Sequence, residues 1–192
     1  MSRRTVPRLM ILALLLSAAS IAGSSSATNF SGVTGATGCA YPAPVNVADT
    51  STHYFYYLDV TMDVYEDAER ARLQDLEPTD LDTRIDPDLN PNTDVVTRDY
   101  DYTDFCGWNW GILWGLTSCA TLNSADECEK HNVWIDIGDT NYFTDLEDQY
   151  LMCHEFGHTV GLTHRSPGCM QNDNNDALHL TTHDVNHINS HY

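Results

Sequence analysis

The chain has 192 residues and 28 aspartates and glutamates against nine lysines and arginines, a net charge of −19. Such a surface repels nucleic acid and anionic lipid, so neither is an expected partner. The length suits one domain with a sizeable core.

At the N-terminus, Arg3, Arg4 and Arg8 flank or precede an apolar run from Leu9 to Leu16, followed by small residues up to Ala27. This is the pattern of a secretory signal peptide over residues 1–27, cleaved after Ala27, with Ala22 as a competing site. The run is too short for a membrane span. A secreted, extracellular protein is therefore expected, and loss of the three arginines takes its net charge from −19 to −22. Residues 28–52 are rich in Gly, Ser, Thr, Ala and Pro without apolar periodicity, and read as an extended arm or a short propeptide. The functional domain is expected over 53–192.

HYFYYLDV (53–60) has the aromatic and β-branched content of a strand. MDVYEDAERARLQDL (62–76) reads as a helix, with Met62, Tyr65, Glu69, Leu73 and Leu76 at helical spacing and Pro78 beyond its end. Residues 79–93 read as loop. Within DPDLNPNTD (86–94) oxygen-bearing side chains alternate, but Pro91 and Thr97 stand where an EF-hand needs glycine and glutamate. An irregular calcium site or a solvated acidic loop remains. VVTRDY (95–100), WGILWGLT (110–117) and NVWIDI (132–137) are further strand candidates, and Gly111 and Gly115 suit the second of them to a sheet edge.

Six cysteines, Cys39, Cys106, Cys119, Cys128, Cys153 and Cys169, favour three disulfides in an exported chain. Sequence does not choose among the fifteen pairings. The expected set is Cys119–Cys128 across a short loop, Cys153–Cys169 around the histidine motif, and Cys39–Cys106.

Thr144 and Glu147 form a capping box that starts a helix running to about Val160, with Gly161 as its left-handed cap. On that helix His154 and His158 are four residues apart, a rotation of about 40°, so both rings leave one face and can share a metal ion. Glu155 points about 100° away, within reach of a water on that ion, the position of a general base. Gly161 lets the chain reverse and return His164 as a third ligand. Three imidazoles with one open position describe catalytic zinc.

HEFGHTVGLTH (154–164) resembles the extended zinc signature of the metzincin metallopeptidases, and Met170 resembles the methionine of their conserved turn. The six-residue interval from His164 to Met170 is more similar to matrixins than to astacins or serralysins, and Asn172 stands where those two groups carry tyrosine. The resemblance implies an α+β zincin fold, a twisted mixed sheet with an active-site helix and a small irregular C-terminal part. It also implies a substrate-binding edge strand at WGLTSCA (114–120), thus Trp114, Gly115, Leu116 and Thr117, and a C-terminal helix at 181–192. No cysteine-switch segment is visible in the arm, and cysteines flanking the active-site helix are untypical of matrixins, which points to a distinct small secreted bacterial-type branch.

The function expected is that of a secreted, monomeric zinc endopeptidase acting on extended peptide or protein substrates, with preference set by the loop QNDNNDALHL (171–180). A non-catalytic secreted binding protein stabilised by zinc is the alternative, and an intact Glu155 speaks against it. His179, His183, His187 and His191 recur every four residues and could form a second metal stripe, but Val185, Ile188 and Tyr192 mark a buried face that leaves them on a solvated flank.

Overall fold

The computed structural model describes Phe30 and residues 46–105, 108–110, 113–165, 167–172 and 177–192. The expected leader, most of the arm, and both Cys39 and Cys106 lie outside the described residues. Among those described, no helix is long and apolar enough to cross a membrane.

Strand β1 (Thr52–Tyr57) buries His53 and Phe55 in alternation. Helix α1 (Met62–Ala71) follows and runs on through a π-helical turn, Arg72–Leu76, so the whole predicted segment is helical. Its buried face is the predicted one only at Leu76. Met62 and Leu73 are 68% and 51% exposed, whereas Asp67, Ala68, Ala71, Arg72, Asp75 and Leu76 are buried. The charged members are tolerated inside because they are paired. Arg72 donates to both Glu69 carboxylate oxygens and to Thr83 Oγ1, Asp67 meets Arg70, and Asp75 accepts from the Leu180 N–H.

Strand β2 (Asp82–Ile85) then pairs parallel with β1, where a loop was expected. It is four residues long and buries only Thr83, too little for an alternation to register in sequence. The acidic loop after it closes on itself. Asp86 accepts from Asn90 Nδ2 and Thr93 Oγ1, at 3.1 and 2.7 Å.

The remaining strands are β3 (Val95–Tyr100), the small hairpin of β4 (Asp104–Phe105) and β5 (Trp108–Asn109), β6 (Gly115–Leu122) and β7 (Cys128–Asp136). The main sheet has the order β2-β1-β3-β7-β6, parallel except for β6, which runs antiparallel at one border. The predicted strand at 110–117 thus begins five residues later and runs to Leu122. Trp110 is instead stacked on Tyr102, in a small cluster with Leu113, Leu116 and Trp134.

Short helix α2 (Ile137–Thr140) leads to α3 (Asp145–Thr159), and α4 (Thr182–His191) completes the chain. The main core lies between the sheet and α1 and α3, with Phe55 and Phe156 in ring contact at 5.1 Å. The architecture is the expected mixed α+β class. The near end of the arm is packed into it: Val47 and Ala48 are buried, and Ala48 bridges to Cys128.

A cavity of about 590 Å³ opens between α1 and the first half of α3, lined by Asp63, Glu66, Asp67, Asp145 and Asp148 over an apolar floor. Burial and the neighbouring carboxylates push Asp148 up to about 6. Its folded-state value thus lies above the unfolded one of about 3.9, so its contribution is unfavourable above pH 6 and disappears as pH falls towards 4. Asp148→Asn should therefore stabilise the protein at pH 8, by about 1 kcal/mol once solvent screening of this half-buried group is allowed for, and give no gain at pH 4. Urea unfolding at the two pH values checks this; an equal gain at both would refute it.

Candidate metal centre

The helix that carries the site is fixed by its ends. Thr144 Oγ1 accepts from the Glu147 N–H, and the Glu147 carboxylate accepts in return from the Thr144 N–H, a complete capping box. At the other end Gly161 has φ +89°, and a Cβ there would stand 2.7 Å from Val47 Cγ1, so both conformation and space call for glycine. The reversal returns the chain beneath α3.

His154, His158 and His164 meet at this turn. Their Nε2 atoms converge: His154 to His158 at 3.1 Å, and His154 to His164 at 3.2 Å. The opposite ring nitrogens of the two helical histidines are committed to main-chain carbonyls, His154 Nδ1 to Cys169 O at 2.8 Å and His158 Nδ1 to Leu162 O at 2.7 Å. Carbonyls only accept, so each Nδ1 carries the proton and each Nε2 presents a lone pair. Lone pairs facing one another at this distance repel. A cation between them removes the repulsion, and tetrahedral zinc with bonds of about 2.05 Å would set the nitrogens about 3.3 Å apart. The donor set therefore fits zinc.

Electrostatics agree. Burial, with the neighbouring imidazoles, lowers His154 to about 4 and holds His158 well below the usual histidine range, and burial lowers His164 as well. Neutral imidazoles are the metal-binding form. His154 and His158 are buried while His164 is exposed, so the cluster has one side towards solvent. Among the described residues no other group of three or more histidines, cysteines or carboxylates gathers in this way. The 86–94 loop and the α4 histidines do not, and His183 Nε2 accepts from Arg165.

Glu155 is 4% exposed and lies between α3 and β6. Its Oε2 accepts from Thr117 Oγ1 at 2.7 Å. Burial pushes its carboxyl up to about 7 against the pull of that hydrogen bond. Gly115 faces it too: a Cβ there would stand 2.7 Å from Glu155 Oε1. Of the four predicted edge-strand residues, Gly115, Leu116 and Thr117 belong to β6, while Trp114 immediately precedes it.

Met170 is fully buried against α3 at Gly157, where a Cβ would collide with its sulfur. Disulfides join Cys119 to Cys128 and Cys153 to Cys169, the latter tying α3 beside His154 to the segment whose carbonyl holds the His154 ring. Sequence reasoning missed three supports. The carbonyls of Cys169 and Leu162 have no side-chain signature. Tyr150, whose ring lies 5.8 Å from His154 and whose hydroxyl donates to Gln171 O, could have been found from its position four residues before His154.

A solved structure of myroilysin is similar over 64% of this chain and 48% of that one, at 15% identity with a TM-score of 0.40. This chain spans about half the length of that protein. No family model and no curated protein matches.

Proposed function

We propose that the protein is a secreted zinc endopeptidase of metzincin type, with His154, His158 and His164 as metal ligands and Glu155 as general base. The observation that supports this most directly is the convergence of three imidazole Nε2 atoms, with the Nδ1 protons of His154 and His158 already spent on carbonyls. A structural zinc is closed by four protein ligands, whereas this group, among the described residues, has three and an exposed side. That favours catalysis over a purely stabilising ion.

Zinc bound there would supply Lewis acidity, lowering the pKa of water and polarising a scissile carbonyl. Glu155 would accept the proton from the attacking water and deliver it to the leaving amine. Its burial between α3 and β6 keeps bulk water from competing for that proton. Strand β6 stands at the sheet border, so an extended peptide could add to it through main-chain hydrogen bonds. Such pairing confers little sequence preference by itself, and preference would fall to the 171–180 loop, of which 173–176 lie outside the described residues. Export is supported by the two disulfides, which persist in oxidising compartments. We expect the enzyme to act as a monomer.

The test is elemental analysis of the folded protein with a peptide-library digest before and after chelation. One zinc per chain is expected, with cleavage abolished by the chelator and restored by zinc. Cleavage that survives complete metal removal, or a folded protein that neither holds nor takes up a transition metal, would overturn the reading.

A further inference from the structure

The hydroxyl of Thr117 has two acceptors within reach, and both belong to one residue. Its Oγ1 lies 2.7 Å from Glu155 Oε2 and 2.9 Å from the Glu155 main-chain oxygen. Thr117 and Glu155 are 5% and 4% exposed, so water does little for either. A hydroxyl has one proton and two lone pairs, and cannot donate to both oxygens at once.

We propose that Thr117 is a positioning residue for Glu155, its hydroxyl turning between two arrangements that satisfy the carboxyl before and after it takes up a proton. This rests on the general-base reading above. While the carboxylate is ionised, Thr117 donates to Oε2. Once Oε2 has gained a proton from water, that O–H donates to Thr117 Oγ1, and the threonine proton, never leaving its oxygen, turns to the main-chain carbonyl; when Oε2 gives its proton up to the leaving amine, the threonine proton turns back to Oε2. Glu155 Oε2 and Thr117 Oγ1 stay bonded to each other in both arrangements and no heavy atom moves, so the contact survives the change of charge on the buried base.

The strand around Thr117 is built for the same contact. Gly115, two residues before it on the same face, leaves the space that Oε1 occupies. The Asp136 N–H donates to Trp114 O at 2.9 Å, which makes Trp114 and Asp136 a hydrogen-bonded pair. In an antiparallel ladder the alternate residues Gly115 and Thr117 then direct their main-chain groups away from β7, towards the free border of the sheet. Thr117 thus offers its backbone where a substrate strand would pair and its hydroxyl to the base behind it.

The experiment compares Thr117→Val, Thr117→Ser and Glu155→Ala as zinc-loaded proteins of confirmed metal content, with fluorescently labelled casein as substrate. Thr117→Val should lower kcat about 10- to 100-fold, the effect of leaving a buried charged group without its partner, with KM changed less than about twofold. Thr117→Ser, which keeps the rotor, should recover kcat to within about threefold of the parent. In the metal-free proteins, the fall in Tm caused by Thr117→Val should be smaller in a Glu155→Ala background than in the parent, since the shared bond is already lost. Parental kcat in Thr117→Val, a serine variant as impaired as the valine one, or additive Tm losses would overturn the proposal. Parental kcat in Glu155→Ala would instead overturn the general-base reading on which it rests.

Discussion

Glu155→Ala should leave one zinc bound per chain and lower peptide hydrolysis about 10²- to 10⁴-fold, the usual contribution of a positioned general base. Metal binding should survive because the carboxylate touches Thr117 and the space over Gly115, and is no member of the group formed by His154, His158 and His164. Folding should survive as well. The substitution removes a buried group whose burial opposes its charge, and the loss of one hydrogen bond to Thr117 is offset by the end of that desolvation cost. Metal analysis, thermal unfolding and turnover of the same preparation separate the possibilities. Unchanged turnover would remove Glu155 from the chemistry, and loss of zinc together with turnover would assign it to the ligand set instead.

The second large effect belongs to the disulfide between Cys153 and Cys169. It closes a loop with a sequence separation of 16, and opening it as Cys153→Ser with Cys169→Ser should cost about 3 kcal/mol by the chain-entropy argument. Stability is only half of the expectation. Cys153 precedes His154, and the carbonyl that orients the His154 ring is that of Cys169 itself. Freed of the crosslink, that carbonyl can drift from the ring, and loss of such outer support typically weakens metal binding 10- to 100-fold. Competition with a fluorescent zinc chelator measures the second effect independently of thermal unfolding. A serine pair that melts earlier yet binds zinc as tightly as the parent would show that the bridge serves the fold alone.

What the sequence discloses about this site is what is local. The capping box at Thr144 and Glu147, the four-residue spacing of His154 and His158, and the glycine at 161 each lie within one or two helical turns, where spacing alone dictates geometry. The structure brings these together as expected, with His164 returned by the turn. The contacts that remained hidden cross the chain. Thr117 and Glu155 are 38 residues apart, and nothing in either neighbourhood announces the other. The misjudged face of α1 has a different cause. Apolar periodicity assumes that charge stays outside, whereas Arg72, Asp67 and Asp75 are inside because Glu69, Thr83, Arg70 and Leu180 provide for them. Strand β2 escaped notice because a charged border strand carries no hydrophobic alternation, and its Asp82 and Arg84 pair with each other across the exposed side.

That border strand has a counterpart worth setting beside it. One rim of the sheet is four residues long and armoured with an ion pair, the usual protection against stray strand addition; the other, β6, runs for eight residues with no such guard. Among the described residues, β6 is thus the less protected border of the main sheet, and it is the one beside Glu155. On the proposed reading, a strand that added there would take the place of an extended substrate, so inhibition by strand-shaped blockers would follow from the same unprotected rim.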